Sequence, residues 1–110
     1  MTSLDPDAGF IAVINTLAVE PDQADALVSW ISNTTEQTMR HFPGFVSANI
    51  HVSLDRCHVV NYAQWRSRSD LDAMLANPKA QAHLTEVTTI AKSFESVHYE
   101  LRRSIVAATA

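Results

Sequence analysis

Apolar and polar residues follow two different periods along this chain. Four segments alternate apolar and polar side chains or are rich in β-branched residues, a pattern typical of β-strands. Between them, apolar residues recur every three or four positions, which predicts amphipathic helices. The predicted strands span residues 9–19, 45–53, 57–66 and 94–105. The predicted long helices span residues 21–41 and 78–91. A short helix between them starts after Ser67 or Ser69 and ends at Ala76.

The order of these elements is β-α-β-β-α-β, with the second helical region split at Asn77-Pro78. This order predicts the α+β class with a ferredoxin-like fold, in which helices cover one face of an antiparallel sheet. We expect one domain over residues 9–105, with tails at 1–8 and 106–110. The strands carry apolar residues on both faces, so we expect the uncovered face to join a homodimer, as in a dimeric α+β barrel.

The turn between the second and third strands decides which residues share a face. Residues 54–56 mark this turn, and loops of two or three residues both fit the sequence. Because side chains alternate between faces, one loop length places Asn49 and His51 beside Asn61, and the other places them on the opposite face. Both alternatives remain open from the sequence.

Composition and charge narrow the classes of partner and cofactor. The formal net charge is −4 without a basic run, so we expect no nucleic-acid partner. No apolar stretch approaches the roughly 18 residues of a membrane span, and residues 1–9 lack the pattern of a signal peptide. The single Cys57 fits a reducing cytoplasm, and no Cys/His spacing or Gly-rich loop indicates a metal or phosphate cofactor. We therefore expect a cytoplasmic protein that binds no membrane and no cofactor.

The third strand carries the candidate chemistry. Asn61, Ala63 and Trp65 share one of its faces, so an amide and an indole flank a gap that holds only a methyl group. This arrangement suits a flat aromatic ligand, which the indole can stack on and the amide can hydrogen-bond. Asn15 is the strongly polar side chain inside the first strand, and in this fold it can meet Asn61 across neighbouring central strands.

The segments PGFVSA at 43–48, SLD at 53–55 and VVNYAQW at 59–65 resemble the antibiotic biosynthesis monooxygenase domain. The resemblance is closest to small cofactor-independent monooxygenases that oxidise anthrone-type aromatic polyketides to quinones with O2. It implies a dimer with a pocket between sheet and helices and with no flavin, haem or metal. It also implies catalytic roles for Asn61 and Trp65, and Asn15 matches an Asn that some members add.

Proton handling in this chain differs from the pattern of some members of the family. Those members use a Tyr in the short helix and an Arg in the next one, at positions that hold Leu71 and Leu84 here. We expect Leu71, Met74 and Leu84 to contact a small aromatic substrate, together with His51 and His83. An electron-rich phenolate or carbanion can pass one electron directly to O2. The proton that the substrate loses when this anion forms could go to His51, His83, a water or the oxygen-derived peroxide.

Two other functions fit the same sequence. Haem-degrading monooxygenases resemble this fold, and Asn15 and His83 fall near their Asn and haem-ligand positions, although Met74 stands where they have Trp. The other alternative is a dimeric ligand-binding module without catalysis. At the level of single residues, Trp65 could be a core aromatic, and Asn15 and Asn61 could be buried amides that satisfy the sheet.

Overall fold

Four antiparallel strands form one sheet, and helices pack on one of its faces, in a computed structural model that describes residues 9–108. The predicted tail at 1–8 lies outside the described residues, as do positions 109 and 110. Within 9–108, no helix is long and apolar enough to cross a membrane. The strands are β1 (Ile11–Ala18), β2 (Phe45–Val52), β3 (His58–Trp65) and β4 (Ser93–Glu100). The helices are α1 (Ala24–Gln37), α2 (Arg68–Ala76) and α3 (Pro78–Val87). Two 3-10 turns, at Pro21–Gln23 and Met39–His41, lie on either side of α1.

The strand order in the sheet is β2-β3-β1-β4, which places β1 and β3 in the centre. β1 pairs antiparallel with both β3 and β4, and β3 pairs with β2. The predicted α+β class and ferredoxin-like element order are thereby confirmed. α2 and α3 are separate helices because Pro78 disfavours helical geometry at Asn77. The Asn77 side chain instead caps α3 by accepting a 2.9 Å hydrogen bond from the Lys79 N–H.

Two predicted elements end earlier than the sequence indicated. β4 ends at Glu100 rather than at residue 105, because Glu100 pairs with Ile11, the first residue of β1. The residues beyond it therefore have no neighbouring strand to bond. α3 ends at Val87 rather than at residue 91. Directly after Val87, threonine hydroxyls donate to carbonyls of the last turn, which favours the end of the helix at this point.

The loop of the β2–β3 hairpin spans residues 54–57, so the predicted length of two or three residues is wrong. The Ser53 N–H donates to the His58 carbonyl at 2.9 Å and forms the last rung. Within the loop, the Asp55 carboxylate accepts hydrogen bonds from the Ser53 hydroxyl at 2.6 Å and from the Cys57 N–H at 3.0 Å. These bonds stabilise the wider turn. The hydrogen bond from the Ser53 hydroxyl lowers the pKa of Asp55 the most, and the hydrogen bond from the Cys57 N–H lowers it further.

The register of this hairpin settles which side chains of β2 face the helices. His51 pairs with Val60, and Ile50 pairs with Asn61. Directly paired residues project to the same face of a sheet. Ile50 therefore lies with Asn61 on the side of the helices. Side chains alternate between faces along a strand, so Asn49 and His51, on either side of Ile50, lie on the opposite face.

A β-bulge interrupts the pairing near the start of β2. Phe45 pairs with Trp65, but Ser47 pairs with Gln64, so Val46 is an extra residue in the strand. The extra residue turns Phe45 to the side of the helices. There its ring meets Trp65 edge-to-face, with 5.5 Å between ring centroids and an interplanar angle of 90°.

Two buried clusters hold the helices against the sheet. The first joins Leu27 of α1 to Leu17 and Val59 of the two central strands. The second joins Leu71 of α2 to Trp65 at the end of β3. Burial of apolar side chains is the main stabilising term in such contacts, at roughly 25 cal/mol per Å² of apolar surface. A cavity remains where the two clusters meet.

Candidate active site

The cavity lies between the sheet and the helix layer. Its walls are mainly apolar, with residues from the strands on one side and residues from α1, α2 and α3 on the other. Polar side chains reach it at a few points: two Asn from the sheet, two Thr from α1 and one His from α3. An apolar cavity with a few convergent polar groups is the usual form of a small-molecule site.

Asn15 and Asn61 form the polar centre of the sheet side of the cavity. The two residues are direct partners across β1 and β3, and both line the cavity. The Oδ1 atom of each is buried and has no hydrogen-bond partner among residues 9–108. An unpaired buried acceptor costs about 1–3 kcal/mol. Because rotation of an amide exchanges its oxygen with its NH₂ group, each Asn can meet either a donor or an acceptor of a ligand.

Trp65 forms an aromatic wall beside these amides. Its residue surface is only 2% exposed, and the side chain lines the cavity. Phe45 packs against it edge-to-face, which restrains the plane of the indole. Ala63 lies between Trp65 and Asn61 on the same face of β3, so the predicted amide, gap and indole occur together in one cavity.

α1 contributes side chains that were not predicted as site residues. Trp30, Thr34 and Thr35 line the cavity from the helix side. The sequence does contain a signal for them, because these positions fall on the same face as the buried Leu27 and Ile31. Threonine hydroxyls within an apolar helical stripe indicate either local hydrogen bonding or a cavity.

α2 and α3 bring three of the predicted substrate contacts, Met74, His83 and Leu84, to the cavity. The His83 ring meets Trp30 edge-to-face, with 6.3 Å between ring centroids and an interplanar angle of 71°. Its Nε2 atom lies 3.4 Å from the Thr38 hydroxyl oxygen. In the part of the chain that the structure describes, no group of three or more His, Cys, Asp or Glu side chains is placed to hold a metal ion.

Two predicted substrate contacts lie elsewhere. His51 is exposed on the opposite face of the sheet, where its Nδ1 is 3.2 Å from the Asn49 carbonyl oxygen. The prediction that His51 contacts the substrate is wrong, because the hairpin loop keeps it in register with Val60. Leu71 is fully buried in the core beside Trp65 and does not line the cavity. Its predicted substrate contact is therefore wrong as well.

The region that builds this cavity also carries a family signature. Residues 10–86 match the family described as antibiotic biosynthesis monooxygenase. The match runs from β1 through most of α3, so it includes the paired amides, the aromatic wall and His83. The chain belongs to the antibiotic biosynthesis monooxygenase family.

Three relatives of this family member carry more specific descriptions. Tetracenomycin-F1 monooxygenase of Streptomyces glaucescens is 38% identical over 92 residues, which cover 84% of this chain and 82% of that protein. The crystal structure of a monooxygenase from the gene ActVA-Orf6 of Streptomyces coelicolor, in complex with nanaomycin D, has a TM-score of 0.78 and 30% identity, with 94% of this chain and 96% of that chain covered. The structure of SnoaB, a cofactor-independent oxygenase from Streptomyces nogalater, has a TM-score of 0.78 and 20% identity, with 88% of this chain and 97% of that chain covered. At this level of identity the similarity supports the fold alone.

Membership of the antibiotic biosynthesis monooxygenase family confirms the resemblance carried by segments 43–48, 53–55 and 59–65. It also confirms the prediction that the protein is an enzyme of the monooxygenase class, since the similar proteins are named monooxygenases. The alternative of a ligand-binding module without catalysis is therefore set aside.

The unpaired oxygen of Asn61 predicts a conflict between stability and site chemistry. We expect Asn61→Leu to raise the free energy of unfolding by about 1–3 kcal/mol, because an apolar group of similar volume replaces an unpaired buried acceptor. Urea unfolding followed by circular dichroism measures the change. The control is Asn49→Leu, which removes an amide that donates to the Tyr62 carbonyl at 3.2 Å and should lower stability. A less stable Asn61→Leu variant would contradict the prediction.

Proposed function

We propose that this monooxygenase uses O2, without a cofactor, to oxidise an anthrone-type or phenolic polycyclic aromatic polyketide to a quinone. The observation that carries the proposal is the pair of unpartnered amides, Asn15 and Asn61, beside the Trp65 wall in an otherwise apolar cavity. The relatives support this class of substrate, since one is a tetracenomycin-F1 monooxygenase and another was solved in complex with nanaomycin D.

Such an oxidation needs no cofactor because the substrate supplies the electrons. Loss of a proton from the CH₂ group of an anthrone leaves an electron-rich anion, which passes one electron to O2. The resulting radical and superoxide combine to form a peroxide at that carbon. Loss of the second proton from this carbon, with cleavage of the O–O bond, gives the quinone carbonyl and water. The cavity has to favour the anion and exclude bulk water.

The paired amides are suited to favour the anion. Deprotonation of an anthrone places negative charge on its ring oxygen, and the NH₂ groups of Asn15 and Asn61 can both donate to one such oxygen. Donors that are already in position stabilise developing charge without reorganisation, and the cross-strand pairing of β1 with β3 supplies that position. Trp65 offers an indole face for stacking, and the small Ala63 leaves room for the rings.

Oxygen consumption with a simple anthrone tests the proposed reaction. We expect protein that has been dialysed against EDTA and carries no flavin to consume O2 in equimolar amount with dithranol, a dihydroxyanthrone, faster than spontaneous oxidation in buffer. An oxygen electrode and chromatography of the anthraquinone measure the two quantities. A rate no faster than buffer would refute the reaction. Activity that depended on added metal, flavin or haem would refute cofactor independence.

Single and double substitutions test whether the two amides share one oxygen. We expect Asn15→Ala and Asn61→Ala each to lower kcat/KM by about 10²–10³-fold, the usual effect of removing one oxyanion donor. Because both amides serve the same atom, the double variant should be less impaired than the product of the two effects. Asn33→Ala makes the same change at an exposed position of α1 and should keep wild-type kinetics. Fully multiplicative effects would argue against a shared oxygen.

The sheet face opposite the helices carries apolar residues that a single subunit leaves partly exposed. Ile14, Val60 and Tyr62 lie at its centre on β1 and β3, and Tyr99 on β4 is 47% exposed. An apolar surface of this kind is usually a contact surface. We propose that this face joins two copies of the chain into a cytoplasmic homodimer.

Sedimentation velocity tests the homodimer. We expect the wild type to sediment as a dimer at low micromolar concentration. Val60→Lys places a charge at the centre of the proposed contact and should give a monomer with an unchanged circular dichroism spectrum. Leu54→Lys places the same charge at the fully exposed tip of the hairpin and should leave the dimer intact. A wild type that sediments only as a monomer would rule out this interface.

A further inference from the structure

We propose that His83 is the general base that removes the substrate proton, with its ring oriented by the Thr38 hydroxyl. The inference rests on the proposed oxidation, because a base has a role only if the substrate must lose a proton before it reacts with O2. Asn15 and Asn61 cannot take this role, since an amide is not protonated near neutral pH. An imidazole is the side chain that most often does.

His83 is placed where a base would be needed. Among residues 9–108 it is the one ionisable side chain that lines the cavity. It projects from α3, whereas the paired amides project from the sheet, so a planar ligand between the two layers can contact both. The buried Ala80 and Val87 lie on the same face of α3 at helical spacing, and this spacing directs His83 inward.

Two contacts fix the orientation of the imidazole. The Trp30 ring meets it edge-to-face, and Nε2 lies 3.4 Å from the Thr38 hydroxyl oxygen. When Nε2–H donates to that oxygen, the basic lone pair is on Nδ1. No hydrogen bond engages Nδ1 within the described part of the chain, so it is available to a ligand. Thr38 is thus a positioning residue that holds the imidazole ring of His83 through Nε2 and leaves Nδ1 towards the ligand.

Other ionisable groups near α3 are directed to solvent rather than into the cavity. These exposed side chains are Glu36 on α1, Arg40 and His41 in the turn that follows it, Asp72 on α2 and Glu86 on α3 itself. None of them lines the cavity. A proton that leaves a bound substrate therefore meets His83 before any other basic side chain.

The proton taken by His83 returns within the same turnover. The C–H electron pair of the substrate remains on its carbon as the anion while His83 becomes an imidazolium. One-electron transfer to O2 and recombination of the radical pair then form the C–O bond of a peroxide anion. The imidazolium protonates the terminal peroxide oxygen and regenerates neutral His83. The second C–H proton leaves as the O–O bond breaks, which gives the carbonyl and water.

Anaerobic binding of dithranol separates proton removal from the reaction with O2. We expect the wild type to convert bound dithranol to its anion, which absorbs at longer wavelength than the neutral form. His83→Gln should bind dithranol with a similar Kd, measured by quenching of tryptophan fluorescence, yet leave it neutral, and its kcat with O2 should fall by about 10²–10⁴-fold. His58→Gln, the same change at an exposed position, should behave as the wild type.

Chemical rescue and the orienting hydroxyl complete the test. Added imidazole should restore turnover to His83→Ala. Thr38→Val should lower the fraction of bound anion, and Thr38→Ser should restore it. Wild-type kcat in His83→Gln, or an anion band of wild-type intensity in that variant, would overturn the proposal, as would a wild type that leaves dithranol neutral. A wild type that forms the anion but consumes no O2 would instead refute the oxidation and leave His83 as the base.

Discussion

The antiparallel pairing of β1 with β3 determines where the cavity has its polar centre. In this register Asn15 is directly opposite Asn61, and a shift of either strand by one residue would move its amide to the other face of the sheet. Both strands are central, so each is held on two sides by backbone hydrogen bonds. The site is therefore attached to the most constrained part of the backbone, which is where a preorganised pair of polar groups is held with least motion.

The apolar packing around the amides compensates for their cost. Leu27 anchors α1 on one side of the cavity, and Leu71 anchors α2 on the other, and both are completely buried. With both helices held in this way, the space between them does not collapse onto the sheet. Two unpaired amides at about 1–3 kcal/mol each are a large fraction of the 5–15 kcal/mol by which small domains are stable. Their presence in the core is the kind of conflict between stability and function that marks an active site.

Strand alternation was enough to predict the shared face of Asn61 and Trp65, because it depends only on regular backbone geometry. The central position of the first and third strands in a ferredoxin-like sheet showed in addition that Asn15 can lie beside Asn61, although their direct pairing depends on the register. His51 could not be placed in this way, since its face depends on the length of a loop whose size is set by hydrogen bonds to Asp55. Leu71 and the cavity residue Met74 are three residues apart on the same face of α2, and only the depth of packing distinguishes them. Helical periodicity carries no information about that depth.

The bulge in β2 has a second effect, on association between chains. β2 is an edge strand, so one row of its N–H and C=O groups lacks a neighbour in the sheet. Regular rows of this kind are templates on which another chain can add a strand and begin to aggregate. The extra residue at Val46 breaks the regular spacing of that row. The irregularity that turns Phe45 towards Trp65 thus also protects the free edge of the sheet against the growth of intermolecular β-structure.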